Sequence, residues 1–408
     1  MRPIIRRSKN RTMVEGRFGR PNIRVAKGFF SGMVFIILLF PCINLFGLYE
    51  VSFSANPPSV ERLRLDYPQE SPSPRFVFGT FNSQKNKWRG PFHDKVIFPW
   101  ITIGNYEKNE SEYLKWLRYQ REQGVKHIAY YYSATTCYPR AALDAVDFFP
   151  ERAMPTSEVQ DSWFLRDPRN QRIPWSGSLE RYFLDVGNQG LQEALIARLL
   201  QNATRLGVDT LFLDNVQFDS WSPDGIQKAD WAAKVLSLLK YAKKKATEKG
   251  LRVIANVVAP LDRWNELAIH LDGISYEMAA HPNTLSSAAR YREELNVYEQ
   301  LISEGKSIFL ITGTYVGKYE AWDPDGRRVA ATALMVMPGN QAQWGGIFVS
   351  LPSFESWPVG GWAMWPEQLG KPVGLRAWER DTVTRRFERG SISITCGEEP
   401  KFTINTSF

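Results

Sequence analysis

The stretch GVDTLFLDN, Gly207 to Asn215, sets the end of a helix against the start of a strand. Glycine is favoured just past a helix because that position takes a left-handed backbone. The residues that follow, TLFLDN, form a short continuous apolar run ending in an Asp-Asn pair. Continuous rather than alternating apolarity suits a parallel strand with both faces buried. The same unit recurs at Gly124 before HIAYYY, Gly250 before RVIANV and Gly305 before SIFLIT. Upstream of Gly207, Leu191, Leu195, Leu199 and Leu206 mark one face of a helix.

Extending the pattern in both directions yields eight strands: 96–104, 127–132, 181–186, 210–215, 252–257, 273–278, 307–313 and 345–350. Eight strands alternating with helices over about 300 residues predict an α/β fold of the (β/α)8 TIM-barrel class. A doubly wound open sheet is the rival, but no G-x-G-x-x-G follows the first strand. Long connections after the second and eighth strands, Ser133 to Glu180 and residues 351–375, stand where barrel enzymes build substrate sites.

In such a barrel all strands open at their C-terminal ends onto one face. The residues at or just past those ends are Asn105, Tyr132, Asp185, Asp214, Asn256, Glu277, Thr312 and Ser350. Asp214 and Glu277 fall on the fourth and sixth strands and are the candidate catalytic pair. Glycosidic bond cleavage uses two carboxyls, one protonated toward the leaving oxygen and one charged. Strands two apart separate backbones by about 10 Å. Converging side chains reach either the retaining gap of about 5 Å or the inverting one of about 6.5–9.5 Å. The plain alternative for Asp214 is turn chemistry, and for Glu277 a loop ion pair.

Asp185, Asn215, Asn256 and Tyr132 are candidate substrate contacts, with Asp185 and Asn256 also readable as structural bonds. Of four histidines, His281 lies just past Glu277 and joins the candidates, whereas His127 begins a strand at the wrong end. Fourteen tryptophans are many for 408 residues, and aromatic faces stack on sugar rings. Trp221 and Trp344 are the first choices for such platforms, although most tryptophans will pack the loops. No metal-ligand spacing appears, and no cofactor is implied.

The formal charge of +8 resides in the first 27 residues, which hold nine Lys or Arg against Glu15. The remainder has 42 basic and 42 acidic residues, which argues against a nucleic-acid partner. Phe29 to Leu48 is an uncharged run that meets the span of about 20 residues needed to cross a bilayer. The expected organisation is a basic cytoplasmic tail (1–28), a transmembrane anchor (29–49), a Pro/Ser-rich linker (50–74) and the barrel (75–408). The basic flank puts the N-terminus in the cytoplasm and the barrel outside it. A cleaved signal peptide is the alternative. Residues 376–408 either finish the barrel or form an appendage. Cys42, Cys137 and Cys396 make no disulfide framework, and a Cys137–Cys396 bridge is open but not required.

The runs WFLRDPRNQRIPWSG (163–177), YFLDVGNQGLQEAL (182–195), GVDTLFLDN (207–215), VIANV (253–257) and DGISYEM (272–278) resemble the bacterial TIM-barrel families of hypothetical glycosyl hydrolases, family 15 among them. The resemblance spans roughly residues 95–390. The chain is also similar to dextranase and α-galactosidase barrels, which carry a nucleophilic Asp on strand four and an acid/base on strand six. The resemblance implies Asp214 as nucleophile and Glu277 as acid/base. Glu277 departs from the α-galactosidase pattern, which has Asp there, and is nearer the dextranase one. The α-amylase pattern puts its acid on strand five, where this chain has Asn256.

The expected function is a membrane-anchored, extracytoplasmic glycoside hydrolase acting on a polysaccharide or surface glycan. A glycan-binding barrel without activity and a transglycosidase are the rivals.

Overall fold

The computed structural model describes residues 77–81, 100–103, parts of 114–122, 127–139, 153–175, 181–218, 222–277, 279–311, 322–339, 346–351 and 365–406. Eight strands make the ring, β1 (Val77–Phe81), β2 (Trp100–Ile103), β3 (His127–Tyr138), β4 (Thr210–Gln217), β5 (Arg252–Val258), β6 (Gly273–Tyr276), β7 (Ser307–Ile311) and β8 (Ile347–Leu351), and a ninth short strand, Ala153–Pro155, pairs in parallel with the upper end of β3. The eight pair in parallel in the order β2-β1-β8-β7-β6-β5-β4-β3, and β2 pairs with β3 to close the ring.

The expected strand list is corrected at two places. VFGTF, absent from that list, is β1. RYFLDV, the expected third strand, is not part of the ring. Its residues make isolated antiparallel bridges, Thr136 with Phe183, Phe164 with Leu184 and Pro174 with Tyr182. Cys137 N donates to Tyr182 O (3.0 Å) and Leu184 N to Thr135 O (2.9 Å), so this apolar run lines the upward extension of β3. The two errors offset one another. Asp214 therefore still lies on the fourth strand and Glu277 just past the sixth.

Four long helices pack outside: α1 (Gln189–Leu206), α2 (Lys228–Thr247), α3 (Ala288–Ser303) and α4 (Trp322–Val336). The Asn188 side chain accepts from Leu191 N (3.1 Å) and starts α1. Gly207, with φ 64°, stops it, and Val208 N returns to Ala203 O at 3.1 Å. Leu191, Leu195, Leu199 and Leu206 are buried against the sheet.

Strand alternation divides the interior into two layers. Ile128, Tyr130, Leu211, Leu213, Val253 and Ala255 face outward to the helices. Ala129, Phe212, Ile254, Phe309 and Phe348 fill the barrel, with Tyr131 packed on them. Phe309 and Phe348 stack at 5.2 Å, and Tyr131 and Phe212 at 5.6 Å. This plug needs a residue without a side chain at Gly273. A Cβ there would lie 2.7 Å from Ser307 O, 3.0 Å from Ile254 Cγ2 and 3.1 Å from Phe309 Cε2.

The lower end is closed by two carboxylates that precede strands. Asp209 accepts from Ile128 N (3.1 Å) and meets His127 Nδ1 (3.0 Å). Asp272 accepts from Val253 N (2.9 Å) and from Lys243 Nζ (2.6 Å). Each ties the foot of its strand to the neighbouring one.

Residues 377–406 form a separate antiparallel sheet of β9 (Ala377–Glu379), β10 (Thr382–Phe387), β11 (Gly390–Thr395) and β12 (Lys401–Thr406). Its buried side chains include Val383, Phe387, Ile392 and Ile394. Arg385 donates to Leu334 O on α4 (3.0 Å), and Trp378 meets Tyr291 on α3 edge-on. It is an appendage on the helix layer, not part of the ring. Cys137 and Cys396 are buried free thiols, so no bridge joins them.

Among the described residues no helix is long and apolar enough to cross a membrane. The tail 1–28, the apolar run Phe29 to Leu48 and the linker 50–74 lie outside the described residues.

Candidate active site

The inward alternation of β4 carries Phe212 and then Asp214 up the barrel wall. Just past Asp214 the ladder slips. Leu213 pairs with Ala255 but Val216 with Val257, so β4 carries one extra residue. This bulge is centred on Asn215, whose φ of 60° is a left-handed value that asparagine tolerates better than most residues. Its carbonyl accepts from Thr135 Oγ1 (3.0 Å). Its amide donates to Ser133 Oγ (3.1 Å) and to Asp214 Oδ2 (3.0 Å).

Asp214 gathers further donors. Tyr131, inward-facing on β3, gives its hydroxyl to Asp214 Oδ2 in a hydrogen bond. Asn256 on β5 gives Nδ2 to Asp214 Oδ1 at 3.0 Å. The same nitrogen reaches Glu277 Oε1 at 2.7 Å. Two carboxyls flanking the amide fix its orientation, since the carbonyl end would face lone pairs. Because both oxygens touch one nitrogen, they are no more than about 6 Å apart.

The two carboxyls differ in environment. Glu277 is pushed up to about 7, chiefly by burial of its carboxyl and then by the Asp214 charge, with the Asn256 bond opposing. The residue as a whole is half-buried, so it keeps surface at the barrel mouth. The loop beyond it is tied from behind. Ala280, with φ 52°, donates its N–H to the buried Glu294 of α3 (3.0 Å). Tyr298 donates to the same carboxyl oxygen at 2.6 Å.

The structure brings together Asp214, Asn215, Asn256 and Glu277, and it sets other expected residues elsewhere. Tyr132 is fully buried in the layer between sheet and helices, because odd positions of β3 face inward. Asp185 is spent on Lys234 of α2 (2.7 Å) and on Gly187 N (3.2 Å). His281 caps the helical turn Pro282–Leu285 by accepting from Asn283 N (3.1 Å), and burial holds its imidazole below the ordinary value. Trp221, Trp344, Asn105 and Thr312 lie outside the described residues, as does the side chain of Ser350. Sequence reasoning missed Tyr131, Ser133 and Glu294. Among the described residues no three His, Cys, Asp or Glu side chains gather to hold a metal ion.

Residues 124–391 match the model of a family described as hypothetical glycosyl hydrolase family 15. No curated protein matches the chain. Solved structures similar to it include the Aspergillus fumigatus Ega3 complex with galactosamine, 16% identical over 60% of this chain and 78% of that chain, with TM-score 0.37. An α-amylase from Malbranchea cinnamomea is 8% identical over 73% of this chain and 74% of that one, with TM-score 0.47. A GH36 α-galactosidase from Geobacillus stearothermophilus in complex with raffinose is 9% identical over 79% and 47%, with TM-score 0.47. At such identities and TM-scores the likeness bears on no residue of the site. With more than half of its residues matched by the family model, the chain belongs to hypothetical glycosyl hydrolase family 15.

Proposed function

We propose that the protein is a retaining glycoside hydrolase with Asp214 as nucleophile and Glu277 as acid/base. The observation that carries this reading is the Asn256 amide, which touches both carboxyls. Its two bonds hold the facing oxygens within about 6 Å, which suits the retaining gap of about 5 Å between carboxyls better than the inverting gap of about 6.5–9.5 Å. The environments favour the same division of roles. Asp214 is surrounded by hydrogen-bond donors from Tyr131, Asn215 and Asn256, which suits a carboxylate. Glu277, raised to about 7, keeps a proton to give at neutral pH.

The chemistry then runs in two steps. An Asp214 oxygen bonds to the anomeric carbon as the glycosidic bond breaks, and the leaving oxygen takes the Glu277 proton. Glu277, now a carboxylate, removes a proton from water as that water displaces Asp214 from the same carbon. The product keeps the anomeric configuration of the substrate.

The substrate class is a polysaccharide or surface glycan. The apolar run Phe29 to Leu48 is proposed to anchor the barrel outside the cytoplasm, and resistance of the native chain to carbonate extraction from membranes tests that placement. For the reaction, the purified chain is screened against a broad panel of polysaccharides for release of reducing ends, and proton NMR reads the first anomer formed. Activity retained in Asp214→Asn or Glu277→Gln refutes the pair. An inverted first product refutes the retaining mechanism.

A further inference from the structure

Arg181 is only 8% exposed, and among the described residues no carboxylate lies within ion-pair distance of it. An unpaired buried charge is costly, so something nearby must compensate it. Two aromatic faces do so in part. The guanidinium carbon sits 4.1 Å from the centre of the Tyr138 ring and 4.4 Å from that of Trp175. One Arg181 nitrogen donates to Thr136 Oγ1 at 3.3 Å, while the buried Nε has no hydrogen-bond partner.

From Thr136 a chain of hydrogen bonds continues inward. Thr136 Oγ1 lies 2.9 Å from Ser133 Oγ, and either hydroxyl can donate in that bond. Ser133 Oγ also accepts from Asn215 Nδ2 (3.1 Å), whose other hydrogen goes to Asp214 Oδ2 (3.0 Å). Four hydrogen bonds thus connect a buried cation to the carboxyl that faces Glu277.

We propose that Arg181 is a positioning residue for Asp214, orienting the Asn215 amide through Thr136 and Ser133 and holding its guanidinium charge toward the Asp214 carboxyl. The inference rests on the reading of Asp214 as nucleophile. Burial pulls the guanidinium below its ordinary value, and Tyr138, Tyr131 and Asp214 are the foremost groups that oppose the pull. The titratable groups facing Asp214 are Tyr131 on β3, Glu277 past β6 and Arg181 itself. Cys137 and Tyr138 stand beside Arg181.

The test needs no substrate. The full chain is labelled with 13C at the aspartate carboxyls, and the Asp214 resonance is identified by its loss in Asp214→Asn. Arg181→Met should raise the Asp214 titration midpoint by about one pH unit, a tenfold change in proton affinity. Arg181→Lys, which keeps the charge, should stay within about 0.3 units of the native chain. Thr136→Val should raise the midpoint by about half a unit, because it cuts the chain and leaves the charge. An unmoved midpoint in Arg181→Met, or a Lys variant that shifts as far as the Met variant, overturns the proposal. Should Arg181→Met lose its near-ultraviolet circular dichroism, Thr136→Val decides, and an unmoved midpoint there overturns it. Failure of the chain to cleave any glycan would undo the reading of the site while leaving these midpoints to stand or fall separately.

Discussion

Replacing Glu294 by Gln should change how stability depends on pH, by an amount that follows from the position of the residue. Glu294 is 1% exposed on α3 and accepts from Ala280 N (3.0 Å) and Tyr298 Oη (2.6 Å) through one oxygen. Burial pushes its carboxyl up to about 7 from an ordinary 4.5. Between those values the folded chain holds a proton that the unfolded chain has lost. Stability from this group is therefore full below about 4.5 and is lost as pH rises through about 7. At 1.36 kcal/mol per unit, the loss between pH 5 and pH 8 is about 2–3 kcal/mol. Glutamine offers the same acceptor oxygen and never ionises, so its variant does not incur that loss. Glu277 titrates over the same range in both proteins and cancels in the comparison. Urea unfolding followed by tryptophan fluorescence at pH 5 and pH 8, at constant ionic strength, reads the effect. Relative to the native chain, Glu294→Gln should gain about 2–3 kcal/mol on going from pH 5 to pH 8. A gain below about 1 kcal/mol would show that Glu294 does not carry a displaced proton.

Four further outcomes are expected. Asp214→Asn and Glu277→Gln should each lower turnover by roughly two orders of magnitude or more with unchanged circular dichroism, in line with loss of a nucleophile or a general acid. The rate of glycan cleavage should fall as pH rises through about 7, where Glu277 loses its proton, and a pH–rate profile flat to pH 9 would contradict that role. Tyr131→Phe should weaken catalysis by about tenfold through the lost bond to Asp214, whereas Tyr132→Phe should leave KM and kcat near native values. Gly273→Ala should destabilise the barrel by about 1–3 kcal/mol in urea unfolding, because the added methyl meets Ser307 O and Phe309.

The fold was legible because helix stops and buried strands leave strong local marks. Gly207, Gly250 and Gly305 each follow a helix with a positive φ. Where the local signal was shared by two structures it misled. RYFLDV is as apolar as a barrel strand, yet its partner is the upper end of β3, an alignment no local pattern encodes. VFGTF is short and interrupted by Gly79, so it left little trace. The expectation of Tyr132 at the barrel mouth fails for a related reason. Both faces of β3 are buried, so hydrophobicity does not tell inward from outward, and only the small inward Ala129 hinted at the parity. Asp214 and Glu277 were singled out because charge at the end of an apolar run is conspicuous. Glu294 was not, since a glutamate inside a charged helical segment looks solvated until α3 is laid against the sheet.

The bulge at Asn215 has a bearing on how such a site could arise. Val216 packs outward, as the residue after an inward Asp214 would in an unbroken strand. Removing Asn215 alone would therefore leave every flanking side chain on its present face and restore a regular ladder. The ladder on either side keeps its alternation without that residue, while the amide beside Asp214, and the bonds to Thr135 and Ser133, come from it. Gain or loss of a single codon could thus switch the carboxyl's setting in a lineage without asking the protein to fold anew.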